Sequence, residues 1–105
     1  LIDTHTGVAA AVYGQYRAES GDHTKTVIAS TASPYKFSNS VMEAIAGPDS
    51  VRGRDEFEVV DALSSLSEVA VPKAVEEIRN APIRHNTECD VDKMKATVKD
   101  ILECV

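Results

Sequence analysis

The chain has 105 residues, 43% hydrophobic and 27% charged, which suits one domain and excludes a wholly disordered or fibrous chain. A net charge of −6 repels a nucleic-acid backbone and an anionic membrane surface, and no apolar run reaches the ~20 residues of a spanning helix. Cys89 and Cys104 are too few for a disulfide scaffold and, with the scattered His5, His23 and His85, fit no metal-ligand spacing, so reduced thiols and no metal are expected.

The chain opens on Leu1-Ile2, apolar and strand-like where a terminus is usually polar, so a piece cut from a longer protein is expected. Asp3 is suited to cap a helix running to about Glu19, with Val8, Val12 and Tyr16 on one face and Gly21 at its left-handed end. Thr24 to Thr31 reads as a strand: Val27, Ile28 and Ala29 are consecutive apolar residues, as in a strand covered on both faces. Ser33-Pro34 opens the next helix, striped by Phe37, Val41 and Ile45 and stopped at Gly47-Pro48. Phe57, Val60, Leu63 and Leu66 mark a third helix. Pro72 begins a short fourth one carrying Val75 and Ile78, Ile83 to Thr87 reads as extended, and Asp90 caps a last helix with Val91, Met94, Val98, Ile101 and Val105 on one side. The amphipathic helices of the second half are expected to form a small bundle.

The charge divides the chain at Gly47-Pro48. Residues 1–47 hold four acids against three bases, residues 48–105 thirteen against eight. Two subregions are expected: an apolar, small-residue part over 1–47 and an acidic helical extension over 48–105 that packs on it.

No nucleophile-base-acid set and no phosphate-binding glycine loop can be read. One constellation stands out: the expected strand ends in Ser30-Thr31-Ala32-Ser33-Pro34 where a helix begins. Ligands of open α/β sheets collect at the carboxyl ends of strands beside helix N-termini. From the residues alone, the hydroxyls read either as a ligand site or as a serine/threonine turn with an ordinary cap, the second having more weight.

Leu1-Ile2-Asp3-Thr4-His5-Thr6-Gly7-Val8-Ala9 and Ala29-Ser30-Thr31-Ala32-Ser33-Pro34-Tyr35-Lys36-Phe37 resemble the C-terminal part of the threonine synthase family. That family carries an Asp-Pro-His-Thr-Ala-Val-like stretch and, after a helix and a strand, a Thr-Ala-His-Pro-x-Lys-Phe-like stretch. Thr4, Gly7 and Ser33 depart from it, standing for Pro, Ala and His. The resemblance is strongest over residues 1–46 and weaker from Val71-Pro72 onward.

The resemblance implies an α/β fold: the C-terminal portion of a fold type II, tryptophan synthase β-like, pyridoxal-phosphate enzyme, with one or two short strands in a mostly helical piece. Residues 1–47 would then belong to the cofactor-binding α/β domain. It implies a cytoplasmic lyase of threonine biosynthesis that turns O-phosphohomoserine and water into threonine and phosphate. The Schiff-base lysine and the phosphate loop would lie upstream, so neither Lys25 nor Lys36 takes that role. No catalytic residue, no bound cofactor and no activity are expected of this piece alone, which would pair with the upstream catalytic domain and self-associate without it.

By the same resemblance Thr31 holds the hydroxyl that faces the cofactor's pyridine nitrogen. His5 either helps to order the site or joins the helix to the strand end, and Lys36 meets either a phosphate or a structural carboxylate. A threonine-synthase-like phospholyase that releases a keto acid and a free-standing acidic α/β interaction module remain the alternatives.

Overall fold

The computed structural model describes residues 1–103. Asp3, extended at φ −75° and ψ 166°, starts α1 (Thr4–Ser20), and Gly21 at φ 67° ends it in the left-handed region that favours glycine. Ser33 accepts from the Tyr35 backbone N–H at the start of a 3-10 turn, Pro34–Phe37, which runs directly into α2 (Ser38–Ala46). Gly47, at φ 84°, leads from α2 into a second 3-10 turn, Pro48–Ser50. Asp55 and Glu58 form a reciprocal capping box that opens α3 (Glu56–Ser67). Then come α4 (Lys73–Arg79), a 3-10 turn at Val91–Lys93 and α5 (Met94–Ile101).

The core forms where α2 crosses α3. Val41 and Met42 meet Val59, Val60 and Leu63 with the Tyr35 ring between them, and Val59 and Leu63 are fully buried. Its residues come from both sides of Gly47. Tyr35 O–H and Ser64 O–H both donate to the Val69 carbonyl, folding the 68–72 loop onto the core. Val71 and Val75 bring α4 alongside. Arg79 secures α4 to α3 with a bidentate ion pair to Asp61 at 2.6 and 3.0 Å and a guanidinium 4.9 Å from the Phe57 ring centre.

The α/β expectation is overturned: among the described residues there is no strand and no sheet, only helices, turns and coil. The 24–31 segment is extended, but Val27 is 90% exposed and Ala29 is exposed, the reverse of a strand covered on both faces. A strand exists through the ladder it shares with a neighbour, and no described segment provides one; the segment's start is held by side-chain bonds instead, the Thr24 N–H donating to Asp22 and the Thr24 carbonyl accepting from Tyr13 and Thr26. Leu1-Ile2 and the 83–87 segment are likewise coil with their apolar side chains exposed.

Two further expectations meet the same limit. α5 buries no residue, and Met94, Val98 and Ile101 are all more than half exposed, so among the described residues the core of the second half is shared by α3 and α4. The radius of gyration is 19.2 Å, against about 13 Å for a compact domain of this length. Asp90 precedes the last helix without a side-chain cap bond. Cys89 is an exposed free thiol, while the thiol of Cys104 and the apolar position Val105 lie outside the described residues.

Candidate functional site

The candidate site is built where α1 begins and the 21–33 segment ends. Asp3 is 1% exposed, and its carboxylate accepts from the backbone N–H groups of His5 and Thr6, each at 3.2 Å, as an N-cap does. It also takes the Thr6 hydroxyl and lies 2.9 Å from His5 Nδ1. The Thr6 hydroxyl does most to hold the Asp3 carboxyl down, at about 2; burial pushes it up, and the His5 ring and the two backbone N–H groups add to the lowering.

The 21–30 segment returns along α1. Tyr16 O–H donates to Asp22 at 2.9 Å, Arg17 Nη2 lies 2.8 Å from His23 Nδ1, and Tyr13 O–H reaches the Thr24 carbonyl at 3.5 Å. The last of these ties is at the start of the helix, where Thr6 Oγ1 lies 3.1 Å from Ser30 Oγ. Thr31 follows immediately. Its side chain is exposed and meets no hydrogen-bond partner among the described residues. Ser33, two residues on, is the cap of the next turn.

His5 and Lys36 both approach one aromatic ring. The His5 ring lies 5.1 Å from that of Phe37, tilted by 59°, with 72% of its side chain exposed, and Lys36 Nζ lies 5.7 Å from the Phe37 ring centre. Among the described residues Lys36 meets no carboxylate. His5 bonds to Asp3, within its own helix start, and the side-chain bond from the start of α1 to the end of the extended segment is made by Thr6 and Ser30. Thr6 escaped the sequence reading. Its spacing from Asp3 was the available signal, because a hydroxyl three residues after an N-cap is placed to reach back to the capping carboxylate.

Two depressions flank the site. An apolar hollow of about 300 Å³ borders Leu1, Ile2, Val41 and Ile45, and a groove of about 520 Å³ runs between Lys36 and Phe37 on one side and Phe57, Val75 and Ile78 on the other. Among the described residues no three His, Cys, Asp or Glu side chains gather closely enough to hold a metal, and no helix is long and apolar enough to cross a membrane.

The family model described as "Threonine synthase, C-terminal" matches residues 6–98. No curated protein and no solved structure matches the chain.

Proposed function

The chain belongs to the threonine synthase C-terminal family, and we propose that in the whole enzyme its Thr31 closes the ring-nitrogen side of the pyridoxal-phosphate site. The match over residues 6–98 carries this reading, since it takes in the whole Ala29–Phe37 stretch, Thr31 included, and the end of the first stretch from Thr6 onward. The parent enzyme is a pyridoxal-phosphate lyase that converts O-phosphohomoserine and water to threonine and phosphate, which makes this chain its C-terminal part.

A pyridine nitrogen on this type of cofactor suits a neutral donor, and Thr31 has the right chemistry: an exposed hydroxyl with no other partner among the described residues. The Asp3 carboxylate, which would instead hold a proton on the ring, is occupied by its own helix start. When bound, the cofactor supplies the electron sink for the carbanion chemistry. Thr31 holds the ring edge, while His5 and Lys36, both near the Phe37 ring, support the site from outside it. The Schiff-base lysine and the phosphate loop belong to the upstream catalytic domain, so this piece alone is inactive. The enzyme works in the cytoplasm.

The exposed faces of α1 suit a body seated on them. Val8, Val12 and Tyr16 are 64%, 58% and 51% exposed along one side of the helix. The upstream domain covers them in the whole enzyme, and without it copies of the chain cover one another. Light scattering of the isolated chain should give a mass above the monomer that falls on dilution; a monomer at all concentrations counts against the idea.

The reaction is tested in the full-length enzyme supplied with O-phosphohomoserine and pyridoxal phosphate. Threonine and phosphate should appear in equal amounts. A keto acid in place of threonine would make the parent a phospholyase and overturn the reading.

A further inference from the structure

The hydrogen-bond chain at the start of α1 specifies which hydroxyl is free to serve the cofactor. At neutral pH the Asp3 carboxylate only accepts. The Thr6 hydroxyl has one proton, and it goes to Asp3. The remaining bond of Thr6, to Ser30 Oγ at 3.1 Å, therefore uses the Ser30 proton. Ser30 then turns its proton inward and its lone pairs outward, so it can accept from a ligand but not donate to one. Its neighbour Thr31 keeps a proton to give. The contact also spans 24 residues of chain and ties the end of the extended segment to a helix start that is itself capped by the same carboxylate.

We propose that Thr6 is a positioning residue: backed by Asp3, it holds the Ser30 hydroxyl proton inward and leaves Thr31 as the donor to the cofactor's ring nitrogen. This rests on the reading of Thr31 given under Proposed function. Thr6 is 8% exposed, and it acts only through Ser30 and the segment that carries Thr31.

The test uses the full-length enzyme and four variants: Thr6→Val, Thr6→Ser, Ser30→Ala and Thr31→Ala. Apoenzyme is titrated with pyridoxal phosphate to obtain the cofactor dissociation constant and the position of the bound cofactor's absorption band, and the thermal midpoint of each apoenzyme is measured beside them. Thr6→Val keeps the shape and deletes the hydroxyl. It should weaken cofactor binding by up to about tenfold, the loss of one neutral hydrogen bond, and displace the band, while Thr6→Ser restores both. Ser30→Ala, at an exposed position, deletes the same Thr6–Ser30 bond and should match Thr6→Val in affinity and band while falling short of the change made by Thr31→Ala, and it carries the test even if Thr6→Val fails to fold. A Ser30→Ala band displaced as far as that of Thr31→Ala would make Ser30 the donor and overturn the proposal. So would a Thr6→Val enzyme with a lower apoenzyme midpoint but unchanged cofactor affinity and band, since that is a structural role alone. If Thr31→Ala weakens cofactor binding and Thr6→Val does not, this inference fails and the reading of Thr31 stands. If Thr31→Ala changes neither affinity nor band, that reading fails and takes the inference with it.

Discussion

α1 and α3 are built on opposite terms. α1 has a buried capping carboxylate at one end and a glycine in the left-handed region at the other, yet Thr6 is its only buried residue. α3 opens on a capping box but ends on Glu68, a non-glycine residue at φ 56°, a conformation that costs an L-residue roughly 1–2 kcal/mol. It tolerates this because Val59, Val60 and Leu63 are buried beneath it, and each such side chain contributes about 1.5–3 kcal/mol. Local signals suffice to begin and end a helix; burial decides which helix the rest of the molecule depends on.

The largest test of this contrast is truncation in the core. Leu63→Ala should cost about 2–5 kcal/mol in a denaturant titration of the chain, whereas Val12→Ala on the exposed face of α1 should stay within about 0.5 kcal/mol. Repeated in the full-length enzyme, Val12→Ala should become distinctly more costly if the upstream domain covers that face. Equal costs in chain and enzyme would leave α1 uncovered in both.

Exchanging the two helix ends should move stability in opposite directions. A Cβ added at Gly21 meets nothing within 4 Å, so Gly21→Ala tests backbone conformation alone and should destabilise by roughly 1 kcal/mol. Glu68→Gly should stabilise by a similar amount, roughly 1 kcal/mol. If both substitutions shift the unfolding midpoint in the same direction, the difference between the two ends is not conformational.

Acid should act on the start of α1. The Asp3 carboxyl is lowered from 3.8 to about 2 in the fold. A depressed carboxyl contributes stability that is fully present above its ordinary value and is lost as pH falls through the folded one. Helical signal equivalent to about one turn, roughly four residues, should therefore fade as pH drops from near 4 to below 2. Asp61, also lowered, by its hydrogen bond to Arg79, titrates between α3 and α4. Asp22, lowered chiefly by its hydrogen bond from the Thr24 hydroxyl, titrates beside the other end of α1. Asp3→Asn separates the start of α1 from both, because the amide still caps but does not titrate; a circular dichroism profile unchanged by that substitution would assign the transition to Asp22 or Asp61.

The smallest effect is expected at α5. Met94→Ser and Val98→Ser fall on side chains 55% and 52% exposed and should each change the stability of the chain by less than about 0.5 kcal/mol. A larger loss would mean that α5 docks in solution.

The sequence by itself determined where α1 begins and ends, where the turn into α2 opens and α2 stops, and to which family the chain belongs. Asp3, Gly21, Ser33-Pro34 and Gly47-Pro48 act on backbone groups within a few residues of themselves, so their effect is readable locally. The family lies in motif residues such as Thr31-Ala32 and Tyr35-Lys36-Phe37. Only the tertiary structure decided that Val27-Ile28-Ala29 lies along α1 instead of in a sheet, that Val59 and Leu63 are buried while Val12 and Met94 are exposed, and that Thr6 meets Ser30. An apolar stripe states a need for cover and a β-branched run a need for a neighbouring strand. Whether either is met depends on residues distant in the chain, and that information is absent from any local window of sequence.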